Sequence, residues 1–224
     1  MTLHVAYCIP TCNPERAADS VRRWRKQGYG VYLAVESDAF PHCSADLITR
    51  NPTYAGYSVT CNRLGRQALA DGFDLVVFGG DDMWPDPDHR AQQIAAEYLE
   101  RFPDGYGIMQ PTGDVENAPS TPFICGSPWV GRGWFARGYN GLGPFWPEYR
   151  QFYMDEELKL VAERLGILWQ RLDLCQHHDH WIWPGGPPKT DYQEANDRHF
   201  KPDGDIFRRR KAAGFPSALE ARAA

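Results

Sequence analysis

Between residues 3 and 110 short apolar runs alternate with amphipathic stretches, and this alternation limits the fold more than any other feature of the chain. Residues 3–10 (LHVAYCIP) are β-rich and stop at Pro10. Asn13 before Pro14 has the form of a helix N-cap followed by proline at the first helical position. The asparagine oxygen takes up an otherwise unpaired N–H, and the fixed φ of proline suits a first turn. From Glu15 to Gln27, Ala17, Val21 and Trp24 recur at helical spacing, and Gly28 offers the stop. Residues 31–35 (VYLAV) read as a strand buried on both faces, with Glu36 at its carboxyl end. A loop carrying Pro41 and Pro52 leads to a helix at about 58–71. Residues 74–78 (DLVVF) form the most hydrophobic strand and break off in Gly79-Gly80-Asp81-Asp82. A helix over about 88–101, with Ile94, Tyr98 and Leu99 inward, and a fourth strand from Tyr106 to Gln110 complete the series.

Strand and helix in this order predict an α/β fold, a mostly parallel sheet with helices on both faces. Ligands in such folds bind beyond the carboxyl ends of the strands. Thr11, Asn13, Glu36, Asp81 and Asp82 gather there from three separate strands.

Composition narrows the class. The 224 residues fit one domain extended by long loops, with a strand-and-helix half at about 1–110, a second half at about 111–200 and a basic tail at about 201–224. With 42% hydrophobic and 13% aromatic residues the chain can bury a real core. A formal net charge of −5 gives no global field for a polyanion, so any nucleic-acid contact would rest on Arg208, Arg209, Arg210 and Lys211. The simpler reading of that run is a solvated helix or charged tail. No basic segment followed by a long apolar run opens the chain, and no apolar stretch of ~18 residues spans a bilayer. The expectation is a cytoplasmic protein without a membrane partner. Cys8, Cys12, Cys43, Cys61, Cys125 and Cys175 lack paired metal-knuckle spacing and read as reduced thiols.

From 111 to 150 the sequence is rich in glycine and proline, with Trp129, Trp134, Phe135, Tyr139, Phe145 and Trp146 among them. That is too aromatic for a disordered linker. It reads as ordered loops and short strands that cover the sheet edge and wall a pocket. Helical spacing returns from Asp155 to Arg164, closes at Gly166, and leads into a last strand at 167–175 and a polar tail.

Three constellations carry chemistry. Asp81 and Asp82 follow a buried strand, where adjacent carboxylates need a neutralising cation. Oxygen ligands of this kind suit Mg²⁺ or Mn²⁺. An N-cap role is the alternative, but Pro85, Asp86 and Asp88 already supply a helix start. His177, His178 and His180 stand in the run QHHDHWIW, flanked by Trp181 and Trp183. In an extended segment His178 and His180 point the same way, so either is a candidate third ligand, and a solvated turn is the alternative. Asp155-Glu156-Glu157 opens a helix, where acidic residues also favour the helix dipole. Asp155 stands at the helix mouth, where it can face an acceptor hydroxyl as a base, and spacing leaves both roles open.

Taken in order, Cys8-Ile9-Pro10-Thr11-Cys12-Asn13, Asn62-Arg63-Leu64-Gly65, Asp81-Asp82-Met83-Trp84-Pro85 and Tyr153-Met154-Asp155-Glu156-Glu157-Leu158 resemble the motifs of family 2 glycosyltransferases of GT-A fold. The resemblance runs over about residues 5–180. It implies a Rossmann-like GT-A sheet, a nucleotide-sugar-binding half at about 1–110, an acceptor-binding and catalytic half at about 111–200, and inverting transfer of a sugar from a nucleotide-sugar, a UDP-sugar first among candidates. It also implies donor contacts at Pro10, Thr11, Asn13, Glu36, Asn62 and Asp81, and Mn²⁺ or Mg²⁺ on Asp81, Asp82 and His178 or His180. Asp155 falls on the family's catalytic base. The family usually has an aspartate where this chain has Gly79, and a glutamate where it has Met154.

The compact size, the His-Asp-His pattern and the tail KPDGDIFRRRKAAGFP are also similar to small phage-encoded glycosyltransferases, some of which decorate hydroxymethylated pyrimidines in DNA. Modified DNA is therefore one expected acceptor and a cell-envelope glycan the other. Trp134, Arg137 and Trp146 in the aromatic segment are the expected acceptor-binding residues. A nucleotidyltransferase is the rival enzyme, but Cys8 to Asn13 has neither the glycines nor the basic residue of a phosphate loop. A tryptophan-based binding module would leave the acidic turn, the acidic helix mouth and the histidine pair without a purpose.

Overall fold

A computed structural model of the chain describes residues 2–36, 41–51, 53–182 and 185–218; Trp183 lies outside them. The strands are β1 (Val5–Thr11), β2 (Gly30–Val35), β3 (Leu47–Arg50), β4 (Leu75–Phe78), β5 (Ile108–Pro111), β6 (Trp129–Gly131) and β7 (Leu168–Arg171). The helices are α1 (Pro14–Lys26), α2 (Tyr57–Ala70), α3 (Ala91–Arg101), α4 (Arg132–Arg137), α5 (Met154–Leu165), α6 (Asp191–Asn196) and α7 (Phe200–Ala212). The seven strands form one sheet in the order β3-β2-β1-β4-β6-β5-β7, and every pairing is parallel except those of β6. The fold class is therefore the expected α/β sandwich of a mostly parallel sheet between helices.

Side chains alternate across β1. Val5, Tyr7 and Ile9 enter one core with Trp24 of α1 and Ile94, Ala95 and Tyr98 of α3. Ala6 and Cys8 enter the other, with Leu64 and Ala68 of α2, Leu158 and Val161 of α5, and Phe207 of α7. Helices on both faces explain why the central strands are apolar at nearly every position. At α1 the local signals act as expected. Asn13 accepts a bond from the Arg16 N–H, Pro14 opens the helix, and Gly28 follows its end with φ +92°. Trp24 stacks on Tyr7 at 3.5 Å between ring centroids, and its indole N–H donates to the Met83 carbonyl at 2.9 Å. One core side chain thus ties the first helix to the acidic turn, and its loss would cost about 3–5 kcal/mol. Gly166 closes α5 in the left-handed conformation.

Several expectations need correction. Leu47–Arg50 is a strand where the sequence reads as loop; it pairs only with β2 at the sheet edge. The aromatic segment does more than cover an edge, because β6 runs antiparallel inside the sheet between β4 and β5. Helix α3 starts at Ala91 rather than 88. The Asp86 carboxylate accepts from the N–H groups of Asp88, His89 and Cys175, and so closes the preceding turn instead of capping the helix. Strand β7 ends at Arg171, short of 175. The tail folds into α6 and α7, so the basic run lies on a helix, as its simpler reading has it, and its three arginines are paired. Arg208 pairs with Asp205, Arg209 with Glu148 and Arg210 with Glu157. All six cysteines are free. No described helix is long and apolar enough to cross a membrane.

Candidate active site

Strands β1 and β4 run side by side in parallel, with Cys8 opposite Phe78, so Thr11 and the turn after Phe78 emerge at the same edge. Asp81 is buried there, and both its oxygens are engaged. Thr11 Oγ1 donates to Oδ2 at 2.5 Å, and Arg16 Nη2 lies 2.7 Å from Oδ1. Space requires a glycine at 79, whereas the clash at 80 is only with the end of a side chain that can move. A Cβ on Gly79 would collide with the Tyr7 hydroxyl, and one on Gly80 with the Asp82 carboxylate. Burial, offset only in part by Arg16, raises the Asp81 carboxyl above the usual range, and the neighbouring Asp82 charge adds to it.

The histidine run docks along this turn. Met83 and His178 form an antiparallel bridge, Asp179 N–H donates to the Asp82 carbonyl at 2.8 Å, and Trp84 N–H donates to the His177 carbonyl at 2.8 Å. His177 is fixed between Asp179 at 2.6 Å and Asp114 at 3.3 Å. This places His178 Nε2 3.4 Å from Asp82 Oδ1, with the His180 ring 4.9 Å from that of His178. Burial opposes ionisation of Asp82, but the hydrogen bond and charge of His178, together with Arg16, outweigh it and hold the carboxyl below the usual range. Burial and the adjacent His178 lower His180 to about 4.

Above this edge lies a cleft of about 440 Å³, bounded by Thr11, Arg16, Asp81, Asp82, His178 and His180 on one side. Tyr54, Tyr57, Ile124, Phe145, Phe152 and Met154 supply apolar wall, and Asp155 also faces the space. Asp155 is the second residue of α5, whose first-turn N–H groups favour a negative charge. It accepts from the Glu156 N–H at 3.0 Å. Burial nevertheless dominates and raises its carboxyl above the usual range. Glu157, two residues on, turns away from the cleft into a buried pair with Arg210.

The donor set fits a hard divalent cation only in part. Among the described residues no three His, Cys, Asp or Glu side chains form a ready metal cage. Asp81 is already engaged, which leaves Asp82 with His178 and the adjacent His180. Mg²⁺-type sites commonly use one or two carboxylates and complete their shell with water and substrate phosphates; Asp82 supplies such a carboxylate, while the imidazoles beside it are softer ligands than these ions prefer.

The other expected site residues divide. Pro10 and Thr11 line the cleft. Asn13 spends its side chain on the α1 cap. Glu36 accepts from the Tyr192 hydroxyl at 2.7 Å, so it meets the cleft through Tyr192 of α6. Asn62 is a structural clamp: its amide donates to the Leu142 and Phe145 carbonyls, and its oxygen accepts the Phe145 N–H. Trp134 and Arg137 sit on α4, which follows Gly131, the partner of Leu75 at the amino end of β4. That is the opposite edge of the sheet, where Trp134 is fully buried and Arg137 pairs with Asp104. Trp146 packs under the Arg210 guanidinium at 3.7 Å. The cleft wall therefore excludes all three expected acceptor residues, and Tyr54, Tyr57 and Phe152 occupy it instead.

Sequence reasoning also missed Arg16 and Tyr192. Arg16 carries a signal, because it sits in the first turn of the helix that directly follows Thr11. Tyr192 carries none, because its place depends on how the tail folds back.

No protein-family model matches the chain, and no curated protein matches it. Among solved structures it is similar to A197 from STIV, with a TM-score of 0.46 and 10% identity over 79% of this chain and 85% of that one. It is also similar to a glycosyltransferase involved in the glycosylation of the major capsid of PBCV-1, with a TM-score of 0.37 and 12% identity over 71% of this chain and 66% of that one. Likeness at this level carries no argument about chemistry, which rests on the cleft itself.

Proposed function

We propose that the chain is an inverting glycosyltransferase that moves a sugar from a nucleotide-sugar, a UDP-sugar first among candidates, onto an acceptor hydroxyl. One observation carries this reading: a single cleft holds Asp81, Asp82, His178 and His180 at the strand ends and Asp155 at a helix mouth. The two acidic groups also differ in environment. Asp82 is held ionised beside an imidazole, whereas Asp155 has a raised proton affinity. Groups whose environments push their pKa values apart suit different roles in one reaction.

In the reaction the acceptor oxygen attacks the sugar carbon on the face opposite the diphosphate. The new C–O bond forms as the bond to the diphosphate oxygen breaks, and Asp155 takes the hydroxyl proton. Asp82, with His178 and His180, is the set that would hold Mn²⁺ or Mg²⁺, which supplies Lewis-acid stabilisation of charge on the departing phosphate. Thr11 and Asp81 fix the edge on which the donor lies.

For the acceptor, the cleft favours a neutral hydroxyl compound such as a glycan over DNA. Its described lining carries Asp81, Asp82 and Asp155 against one arginine, Asp197 is paired with Lys189, and the arginines of the α7 run are paired with carboxylates. Aromatic walls suit the apolar faces of a sugar ring.

The test is a panel of nucleotide-sugars with Mn²⁺, followed by mass spectrometry of candidate glycan and hydroxymethylated DNA acceptors. Release of nucleoside diphosphate with a matching mass gain on an acceptor supports the proposal. No binding of any nucleotide-sugar, with or without the metal, would sink it.

A further inference from the structure

We propose that Arg16 grips the diphosphate of the donor, and that Asp81 is its positioning residue rather than a direct ligand of donor or metal. This deepens the glycosyltransferase reading and rests on it.

Position comes first. Asn13 and Pro14 fix the start of α1, and Arg16 falls in its first turn. From there the side chain reaches back over the strand ends, where Nη2 lies 2.7 Å from Asp81 Oδ1. Thr11 holds the other oxygen at 2.5 Å. Asp81 is thus engaged on both oxygens by protein groups, and it fixes the guanidinium at the mouth of the cleft. Asp82 next to it has a different partner, His178. The two adjacent aspartates therefore point to different tasks, one orienting a cation and one facing the imidazoles.

Capacity comes second. A guanidinium carries five N–H donors in a rigid plane and stays charged at every working pH. Arg16 Nε is buried and has no hydrogen-bond partner. A buried donor of this kind normally finds a partner, from a ligand or from water. The planar fork matches the two oxygens of a phosphate.

Economy comes third. Among the described residues that line the cleft, Arg16 is the only lysine or arginine. Among the described lining residues a diphosphate meets no other permanent cation, and the nearby Lys189 is paired with Asp197. Arg16 also keeps 27% of its side chain exposed, so it is reachable from the cleft.

The experiment measures binding, not turnover. UDP, GDP, ADP, inorganic pyrophosphate and the matching nucleosides are titrated calorimetrically into wild type, Arg16→Gln and Arg16→Lys, once in chelator and once in Mn²⁺. Thermal melts verify that the variants are folded. Losing a charge-assisted phosphate contact weakens binding by about tenfold or more. The expected result is a loss of that size for the nucleoside diphosphate and pyrophosphate in Arg16→Gln, partial recovery in Arg16→Lys, and nucleoside affinity within about twofold of wild type. In the Arg16→Gln background, Asp81→Asn should then change diphosphate affinity no further. Equal diphosphate affinity in wild type and Arg16→Gln overturns the assignment and leaves the glycosyltransferase reading standing. A wild type that binds none of the diphosphates in either condition removes that reading and this one with it.

Discussion

Arg210 and Glu157 form a two-pronged ion pair with both side chains buried, Nη2 to Oε1 at 2.8 Å and Nε to Oε2 at 2.9 Å. The pair joins α7 to α5, and the Tyr149 hydroxyl donates to Glu157 Oε2 at 2.6 Å. In low dielectric, an ion whose partner is removed keeps its desolvation cost and loses its compensation. Glu157→Gln or Arg210→Ala should therefore cost about 3–5 kcal/mol in urea unfolding. Replacing both by apolar residues of similar volume, Glu157→Leu with Arg210→Met, should recover most of that. A loss under 1 kcal/mol in both single variants would refute the pair's structural role. The consequence for mechanism is direct: Glu157 cannot serve as a silent control for Asp155, although both stand in the same first turn.

The glycines of the acidic turn separate fold from site. Gly79→Ala sets a methyl against the Tyr7 hydroxyl and 2.7 Å from Met83 Sδ, inside the core that holds Trp24. Overpacking of this kind destabilises by about 1–3 kcal/mol. Gly80→Ala meets only the Asp82 carboxylate, which can swing aside. The expected outcome is a melting temperature near wild type with turnover and Mn²⁺ binding reduced. If Gly80→Ala retained both functions, Asp82 would not need its observed position.

How far this was legible in the sequence depends on the range of the forces involved. Asn13, Pro14 and Gly166 act within one turn of helix, so their roles follow from neighbours in the chain. The central strands follow from apolar runs because both sheet faces are covered. Strand β6 is three residues long and antiparallel, with no period to detect, and only its pairing with β4 and β5 defines it. The acid pair and Asp155 stand out as carboxylates after a strand and at a helix mouth. Arg16 shows only its place in the first turn after Thr11, and its task depends on Asp81, far along the chain. Arg210 misled for the same reason: within RRRK nothing marks the one arginine whose partner is a buried glutamate.

The charge of the cleft makes a prediction about acceptors. A nucleic-acid acceptor bound through six to ten phosphates would lose about 10³–10⁵ in affinity between ~50 and ~200 mM salt. With the arginines at 208–210 paired and the cleft lining acidic, acceptor KM should instead change by less than about threefold over that range. A steep fall measured with hydroxymethylated DNA would restore the nucleic-acid acceptor and displace the glycan.

Asp155 carries the sharpest prediction, because catalysis and stability should move in opposite directions. Burial raises its carboxyl above the usual aspartate range. A base must be ionised to accept a proton, so turnover should fall on the acid side through a pKa higher than that of a free aspartate, and plateau above it. The stability sign is the reverse. A raised pKa means that the folded state holds the proton more tightly than the unfolded one, so the group favours folding below its unfolded pKa. That contribution is lost as pH rises through the folded value. At neutral pH the ionised, partly desolvated Asp155 is therefore a strain on the fold. Asp155→Asn keeps an acceptor for the Glu156 N–H and removes the charge. Its stability at pH 7 should equal or exceed wild type, and the advantage should shrink towards acid pH. The turnover number should drop about 10²–10⁴-fold, with diphosphate affinity nearly unchanged. A variant with turnover near wild type, or one destabilised at neutral pH like Glu157→Gln, would show that Asp155 is part of the helix cap and not the base.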